Sequence, residues 1–313
     1  MKGGGDMSQE SFTFKGANGR DIFVWRWDTP NSQPAGILQI FHGMAEHGRR
    51  YADFAGYLND RGFTVYVMDQ RGHGNTGEIN NDLGHLDGDG YDGIVRDQKL
   101  LSERIRQENP GVPLFVLGHS FGSFIAQEYI KRHGSELSGV ILSGSCMMKG
   151  ADLKAGLVLA YITKLFGTRK PNRLLDKMSF GSYNRSIPDA AGKFSWLSRD
   201  VEQVGKYEAD RFCGMVMSTG FFCSFFRGLN GLYGKEGMDS IPKTLPVCIM
   251  SGGNDPVGKY GTGVSKLCEL YRGLGLSNVE FKLYESARHE ILNETNRAEV
   301  YRDISQWLEE HVG

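Results

Sequence analysis

Two periodicities alternate along this chain. Short continuous apolar runs, "GILQIF" (36–41), "TVYVM" (64–68), "LFVLG" (114–118) and "GVILS" (139–143), have the length and β-branched content of buried strands. Between the later ones lie "RRYADFAGYLNDRG", "YDGIVRDQKLLSERIRQENPG" and "SFIAQEYIKRHG", with apolar residues at helical spacing and a stop at Gly or beside Pro. Uninterrupted strands separated by helices predict an α/β fold: a mostly parallel sheet with helices on both faces. The runs "SFTFKG" and "RDIFVWRWD" precede it as an antiparallel hairpin.

The alternation breaks between 147 and 240, where strand runs vanish and Met, Phe, Trp and Tyr accumulate, as in "MVMSTGFFCSFFRGL". It resumes with "LPVCIMSGG", a helix at "VSKLCELYRGLG", the strand "VEFKLYE" and a last helix "AEVYRDISQWLEEH". The predicted organisation is therefore a flexible tail at 1–10, a core of 11–146 and 241–313, and an inserted segment at 147–240.

Composition narrows the function. With 36 Lys and Arg against 37 Asp and Glu, the net charge of −1 gives no field to gather nucleic acid or an anionic surface. The five cysteines are odd in number and mostly set among apolar neighbours, so they read as buried free thiols. No Cys-x-x-Cys occurs and no histidine pairs with them at zinc-ligand spacing, so no metal site is expected. The longest apolar stretch, "AGLVLAYITKLF", is too short to span a bilayer. The N-terminal tail lacks the apolar segment of a secretory signal, and a cytoplasmic address is expected.

Candidate chemistry starts at "LFVLGHSFGS", where a core strand ends on Gly118-His119-Ser120-Phe121-Gly122 and a helix begins. Gly-x-Ser-x-Gly is too short to stand alone, and an ordinary loop serine gives the same letters. In a strand-turn-helix elbow, however, side chains two before and two after the serine would collide with strand and helix, so both glycines are required. A nucleophilic serine also needs a base, a group to orient it and donors for the oxyanion.

The partners should follow in the order serine, acid, histidine. Of the histidines after Ser120, His133 lies on the helix leaving the serine and His311 ends the last helix. His289 alone sits in a loop just after a strand, in "YESARHEIL". Asp255, in "CIMSGGNDPV", stands just past the preceding strand; Asn254 and Glu285 are polar alternatives. The oxyanion donors are the amides of Phe121 and of Met44, the latter from "FHGMAEHGRRY" after an earlier strand. Each residue alone has a bland reading: a packed histidine, a turn-forming aspartate, a strand-ending turn. Their order and placement together carry the assignment.

These segments resemble the α/β-hydrolase family, and within it the monoacylglycerol lipase and lysophospholipase-like branch, often labelled serine aminopeptidase-like. "HGMAEHGRRY" is similar to the branch's His-Gly-x-x-Glu-His-x-x-Arg-Tyr signature, "MDQRGHGNTG" to its Asp-x-x-Gly-His-Gly-x-Ser loop and "GHSFGS" to its Gly-His-Ser-Met-Gly-Gly elbow. "SGGNDPV" and "ARHEILNE" are similar to its acid and histidine loops. The resemblance implies the same triad and oxyanion pair, a cap formed by 147–240, and Glu46 and Arg50 helping to organise a polar head-group pocket. A structural ion pair bracing the loop is the alternative for those two. Phe121 and Ser123 depart from the usual Met and Gly and are expected to alter the pocket floor.

The expected function is hydrolysis of carboxylic esters through an acyl-enzyme, without cofactor, on monoacylglycerol, lysophospholipid or a related lipid-like ester. "GFFCSFF" would bury the acyl chain or form the cap's own core. The competing readings are a small-ester carboxylesterase, an aminopeptidase holding a substrate ammonium on Asp200, Glu202, Glu208 or Asp210, and a receptor without turnover.

Overall fold

The computed structural model describes residues 9–188 and 190–313. Its strands are β1 (Gln9–Lys15), β2 (Asp21–Trp27), β3 (Gly36–Phe41), β4 (Phe63–Met68), β5 (Leu114–His119), β6 (Gly139–Ser143), β7 (Val247–Gly252) and β8 (Val279–Tyr284). They form one sheet in the order β1-β2-β4-β3-β5-β6-β7-β8. The first two neighbouring pairs are antiparallel and the remainder parallel. The expected hairpin is thus β1–β2. Gln9 and Glu10 belong to β1 rather than to a tail, and residues 1–8 lie outside the described residues.

Every residue of β3, β4, β5, β6 and β7 is buried, because helices cover both faces and each side chain meets apolar cover whichever way the pleat points it. Leu114 and Val116 point to one core, and Phe115 and Leu117 to the other. The first face is covered by α3 (Gly90–Glu108), α4 (Phe121–His133) and α10 (Thr262–Gly273). The second is covered by α1 (Ala52–Asn59) and α11 (Arg297–Glu310). The six-residue helix α2 (Gly74–Ile79), in "GNTGEI", carries no apolar periodicity for a sequence reading to find.

Between β6 and β7 the chain is helical: α5 (Ala151–Lys164), α6 (Arg173–Phe180), α7 (Val201–Ala209), α8 (Thr219–Leu232) and α9 (Lys235–Asp239). Helix α8 joins the main core through Phe221, Phe222 and Leu229. Helices α5 and α6 leave Val158, Ile162 and Leu174 exposed, and the turn after α5 exposes Leu165 and Phe166. Among the described residues, no helix is long and apolar enough to cross a membrane.

Candidate active site

The carboxyl ends of β3, β5, β7 and β8 meet at one edge of the sheet, where ligands of parallel sheets bind. At the end of β5 the chain reverses into α4 within one residue. Ser120 carries the strain of that turn, with φ 51° and ψ −118°. Its N–H donates to Ser143 O at 2.9 Å, fixing the turn to the end of β6. The sequence argument for the flanking glycines holds in detail. A Cβ at Gly122 would stand 1.9 Å from Phe41 O, and one at Gly118 would stand 2.6 Å from Gly122 O. No side chain fits either position.

The loops after β7 and β8 bring Asp255 and His289 together, 34 positions apart in sequence, with Asp255 Oδ2 2.9 Å from His289 Nδ1. Asp255 is fully buried, and its carboxylate also accepts from Val257 N at 2.8 Å and Ser251 Oγ at 3.2 Å. An ionised carboxylate only accepts, so Nδ1 carries the ring proton and Nε2 keeps its lone pair. Burial alone would lower the His289 pKa, but the Asp255 carboxylate beside it, with Glu290 and Glu46, brings it net above the usual value. Burial pushes the Asp255 carboxyl up, and the His289 contact with its hydrogen bonds brings it net down.

Ser120 and His289 line the same cavity, of about 910 Å³ including its open mouth, and Gly43 and Met44 line it beside them. No hydrogen bond joins the Ser120 hydroxyl to His289 among the described residues. His133 and His311 end α4 and follow α11, away from the cavity.

The loop after β3 is held at three points. The Gly43 N–H donates to Glu46 Oε1, and Ala45 O accepts from Tyr207 Oη at 2.9 Å and from Gly214 N at 3.0 Å. His42 accepts from Gln70 N at 2.9 Å and holds Gly43 O at 2.8 Å. Burial keeps its pKa well below the ordinary value, so the ring remains a neutral brace. The fastened groups flank Met44. Phe121 is the first residue of α4, where a helix leaves its N–H groups without intrahelical acceptors.

Glu46 lines the cavity and Arg50 does not. The Arg50 guanidinium is bidentate on Glu290 at 2.7 Å for both bonds and touches Glu46 Oε2 at 2.6 Å; Tyr51 Oη also donates to Glu46 at 2.9 Å. Its donors are turned onto two buried carboxylates, the arrangement of a structural ion pair bracing the loop that stood as the alternative for these two residues. The network ties the loop of Met44 to the loop of His289. Glu290 was missed by sequence reasoning, since only its position next to the histidine marks it.

The expectation for Phe121 changes, and packing selects between the two readings of "GFFCSFF". Phe121 points away from the cavity floor into a cluster with Phe221 at 5.3 Å and Phe225 at 5.2 Å. The "GFFCSFF" aromatics accordingly form internal core. The apolar wall comes from Phe180, Phe194, Trp196, Leu197, Met215 and Met217, all in the inserted segment. Ser123 Oγ donates to Ser120 O at 2.6 Å and lies within hydrogen-bond distance of Ser145 Oγ at 2.7 Å, bracing the elbow.

Three of the four carboxylates considered for an ammonium group are engaged elsewhere. Asp200 caps α7 and pairs with Arg297, Glu202 pairs with Lys206, and Asp210 accepts from His47. None of these, nor Glu208, lines the cavity. Of the five thiols, four are buried as expected, and Cys213 is half-buried. Donor atoms of Cys213, His47 and Asp210 lie within 4.8 Å of one another, joining the loop after β3 to the insertion. Spacing along the chain gave no sign of that cluster.

Comparison with known proteins agrees with this architecture. The family model described as serine aminopeptidase, S33, matches residues 32–296. Monoacylglycerol lipase of Mycolicibacterium smegmatis is 28% identical over 305 residues, covering 97% of this chain and 99% of that protein. Human monoglyceride lipase is 25% identical, covering 95% and 89% respectively. Among solved structures, a highly thermostable carboxyl esterase from Bacillus coagulans, in complex with glycerol, superposes with a TM-score of 0.90 at 27% identity, covering 98% of this chain and all of that one. With an eight-stranded sheet, a serine elbow at its carboxyl edge and a family match over most of its length, the chain belongs to the serine aminopeptidase S33 family of the α/β-hydrolase fold.

Proposed function

We propose that the protein hydrolyses carboxylic esters of the monoacylglycerol type, with Ser120 as nucleophile, His289 as base, Asp255 as its orienting acid and the Met44 and Phe121 amides as oxyanion donors. The observation that carries this reading is the strained Ser120 lining a cavity that His289 also lines, a ring fixed by Asp255 with Nε2 left to accept a proton.

Ser120 Oγ attacks the ester carbonyl carbon while its proton passes to His289 Nε2. The carbonyl oxygen becomes an oxyanion against the two amides. Collapse expels the alcohol, which takes the proton back from His289, and leaves an acyl-Ser120 ester. Water then repeats the sequence: it loses a proton to His289, attacks the acyl carbon, and releases the carboxylic acid as Ser120 recovers its proton. Asp255 stabilises the imidazolium in both halves. Glu46, Arg50 and Glu290 act by holding the two reacting loops in register.

The segment 147–240 serves as a cap in this reading, since it supplies the apolar wall that would receive an acyl chain. Relatives named as monoacylglycerol and monoglyceride lipases support the substrate class. The exposed apolar residues of α5 and α6 suit an enzyme that meets its substrate in lipid. For an aminopeptidase reading, none of Asp200, Glu202, Glu208 and Asp210 lines the cavity, so no observation brings these four carboxylates to a substrate ammonium.

The test is hydrolysis of monoacylglycerol, lysophosphatidylcholine, p-nitrophenyl esters and proline p-nitroanilide by the wild type and Ser120→Ala. Ester turnover, greatest with monoacylglycerol and abolished in the variant, is the expected result. Equal rates in both proteins, or cleavage of the anilide alone, would refute it.

A further inference from the structure

His289 is held by more than Asp255. Two rings pack on it: His119 from the end of β5, at a centroid separation of 4.8 Å, and Trp196 from the insertion, at 5.0 Å and tilted by 38°. The backbone around Trp196 also runs alongside the histidine loop. Glu290 N donates to Leu197 O at 2.7 Å and His289 N to Trp196 O at 3.4 Å, while Arg288 Nη1 clasps Ser195 O at 2.7 Å and Ser198 O at 3.0 Å.

The indole is itself fixed. Its backbone N–H donates to Asn184 Oδ1 at 2.9 Å, Phe180 stacks on it at 6.3 Å, and Tyr183 meets it edge-on at 4.9 Å. A ring anchored through Nδ1 alone can still rock about that hydrogen bond and swing Nε2 off the serine. A fixed aromatic against the imidazole removes that freedom. It also offers a π-surface within the range at which a cation is attracted.

Resting on the reading of Ser120 as nucleophile and His289 as base, we propose that Trp196 is a positioning residue for the base. It keeps Nε2 aimed at Ser120 and stabilises the imidazolium through its π-face. The base would then depend on the inserted segment as well as on the core.

The groups facing His289 leave room for such a contribution. Asp255, Glu290 and Glu46 favour the charged ring, while burial opposes it. His119 adds no positive charge at neutral pH: burial, then the neighbouring His289, holds its pKa at about 4. Arg50 is neutralised by its two carboxylates.

The experiment uses p-nitrophenyl acetate, whose acyl group is too short to need the apolar wall, with wild type, Trp196→Leu, Trp196→Phe and Ser120→Ala. Trp196→Leu is expected to lower kcat about 10-fold with KM nearly unchanged, and to move the acid limb of kcat/KM down by roughly half a pH unit. Trp196→Phe should recover most of both effects. Thermal unfolding close to wild type for the Leu variant separates these effects from loss of fold, and the Phe variant supplies the same control if it does not. A Leu variant with wild-type kcat and an unmoved limb, a change in KM alone, or an upward shift from water entering beside the ring would overturn the proposal. Full activity in Ser120→Ala would instead sink the underlying reading of the site.

Discussion

Asp255 Oδ2 and His289 Nδ1 stand 2.9 Å apart with both side chains buried, so each holds the other in its charged or hydrogen-bonded form. Burial lowers the His289 pKa, and Asp255, with Glu290 and Glu46 behind it, brings it net up. A base must be neutral, so wild-type kcat/KM should fall as pH drops through a value above about 6.5. In Asp255→Asn the leading raising charge is gone while burial stays, so the acid limb should move to lower pH. The tautomer is also no longer enforced, and kcat should fall by about 10³–10⁴. A pH–rate profile of both proteins checks the two effects together; an unmoved limb would exclude Asp255 as the partner.

Strain at Ser120 makes a prediction about stability. A residue with φ 51° and ψ −118° sits where side chains are disfavoured, and glycine relieves that cost. Ser120→Gly should be inactive yet more stable than Ser120→Ala by about 1 kcal/mol in urea unfolding. Equal stabilities would show that the elbow stores no strain.

Gly122 lies under the opposite constraint. An added Cβ would meet Phe41 O at 1.9 Å and Phe41 C at 2.4 Å, both of them backbone, so α4 must move away from β3. Gly122→Ala should lose several kcal/mol of stability and most ester turnover, since Phe121 N–H moves with the helix. A well-folded, fully active alanine variant would contradict the close packing at this point.

Arg50 between Glu46 and Glu290 carries the third case. Burial pushes both carboxyls up, and the Arg50 charge outweighs it, leaving both below their ordinary values. Stability from such lowered pKa values is complete above the unfolded value of about 4.3 and is lost as pH falls through the folded values. Arg50→Met strands two buried carboxylates and should cost about 3–5 kcal/mol at neutral pH. Its deficit should shrink as acid protonates them, which denaturant unfolding at neutral and acid pH would reveal. A deficit independent of pH would mean that the ion pairs are not its source.

The apolar wall predicts chain-length selectivity. Each methylene taken from water is worth roughly 0.8 kcal/mol, so kcat/KM should rise about fourfold per methylene until the cavity is filled. Met215→Trp, which enlarges a wall residue, should move the optimum to shorter acyl chains. An optimum unchanged by that substitution would argue that the acyl group lies elsewhere.

Much of this protein is legible in one dimension because its constraints are local or ordered. Apolar runs such as Leu114–Leu117 announce buried strands, and the glycines flanking Ser120 report a steric requirement within five residues. Ser120, Asp255 and His289 each follow a strand, β5, β7 and β8 in turn, so they could be proposed as partners before their 34- and 135-residue separations were closed in space. Tertiary packing decided the rest, because neither apolar burial nor charge pairing names its partner in sequence. A buried guanidinium needs carboxylates, but only the fold brought Glu290 rather than a substrate to Arg50. Aromatic side chains suit core and ligand wall equally, and packing assigned Phe221 and Phe225 to the first, and Phe180 and Trp196 to the second.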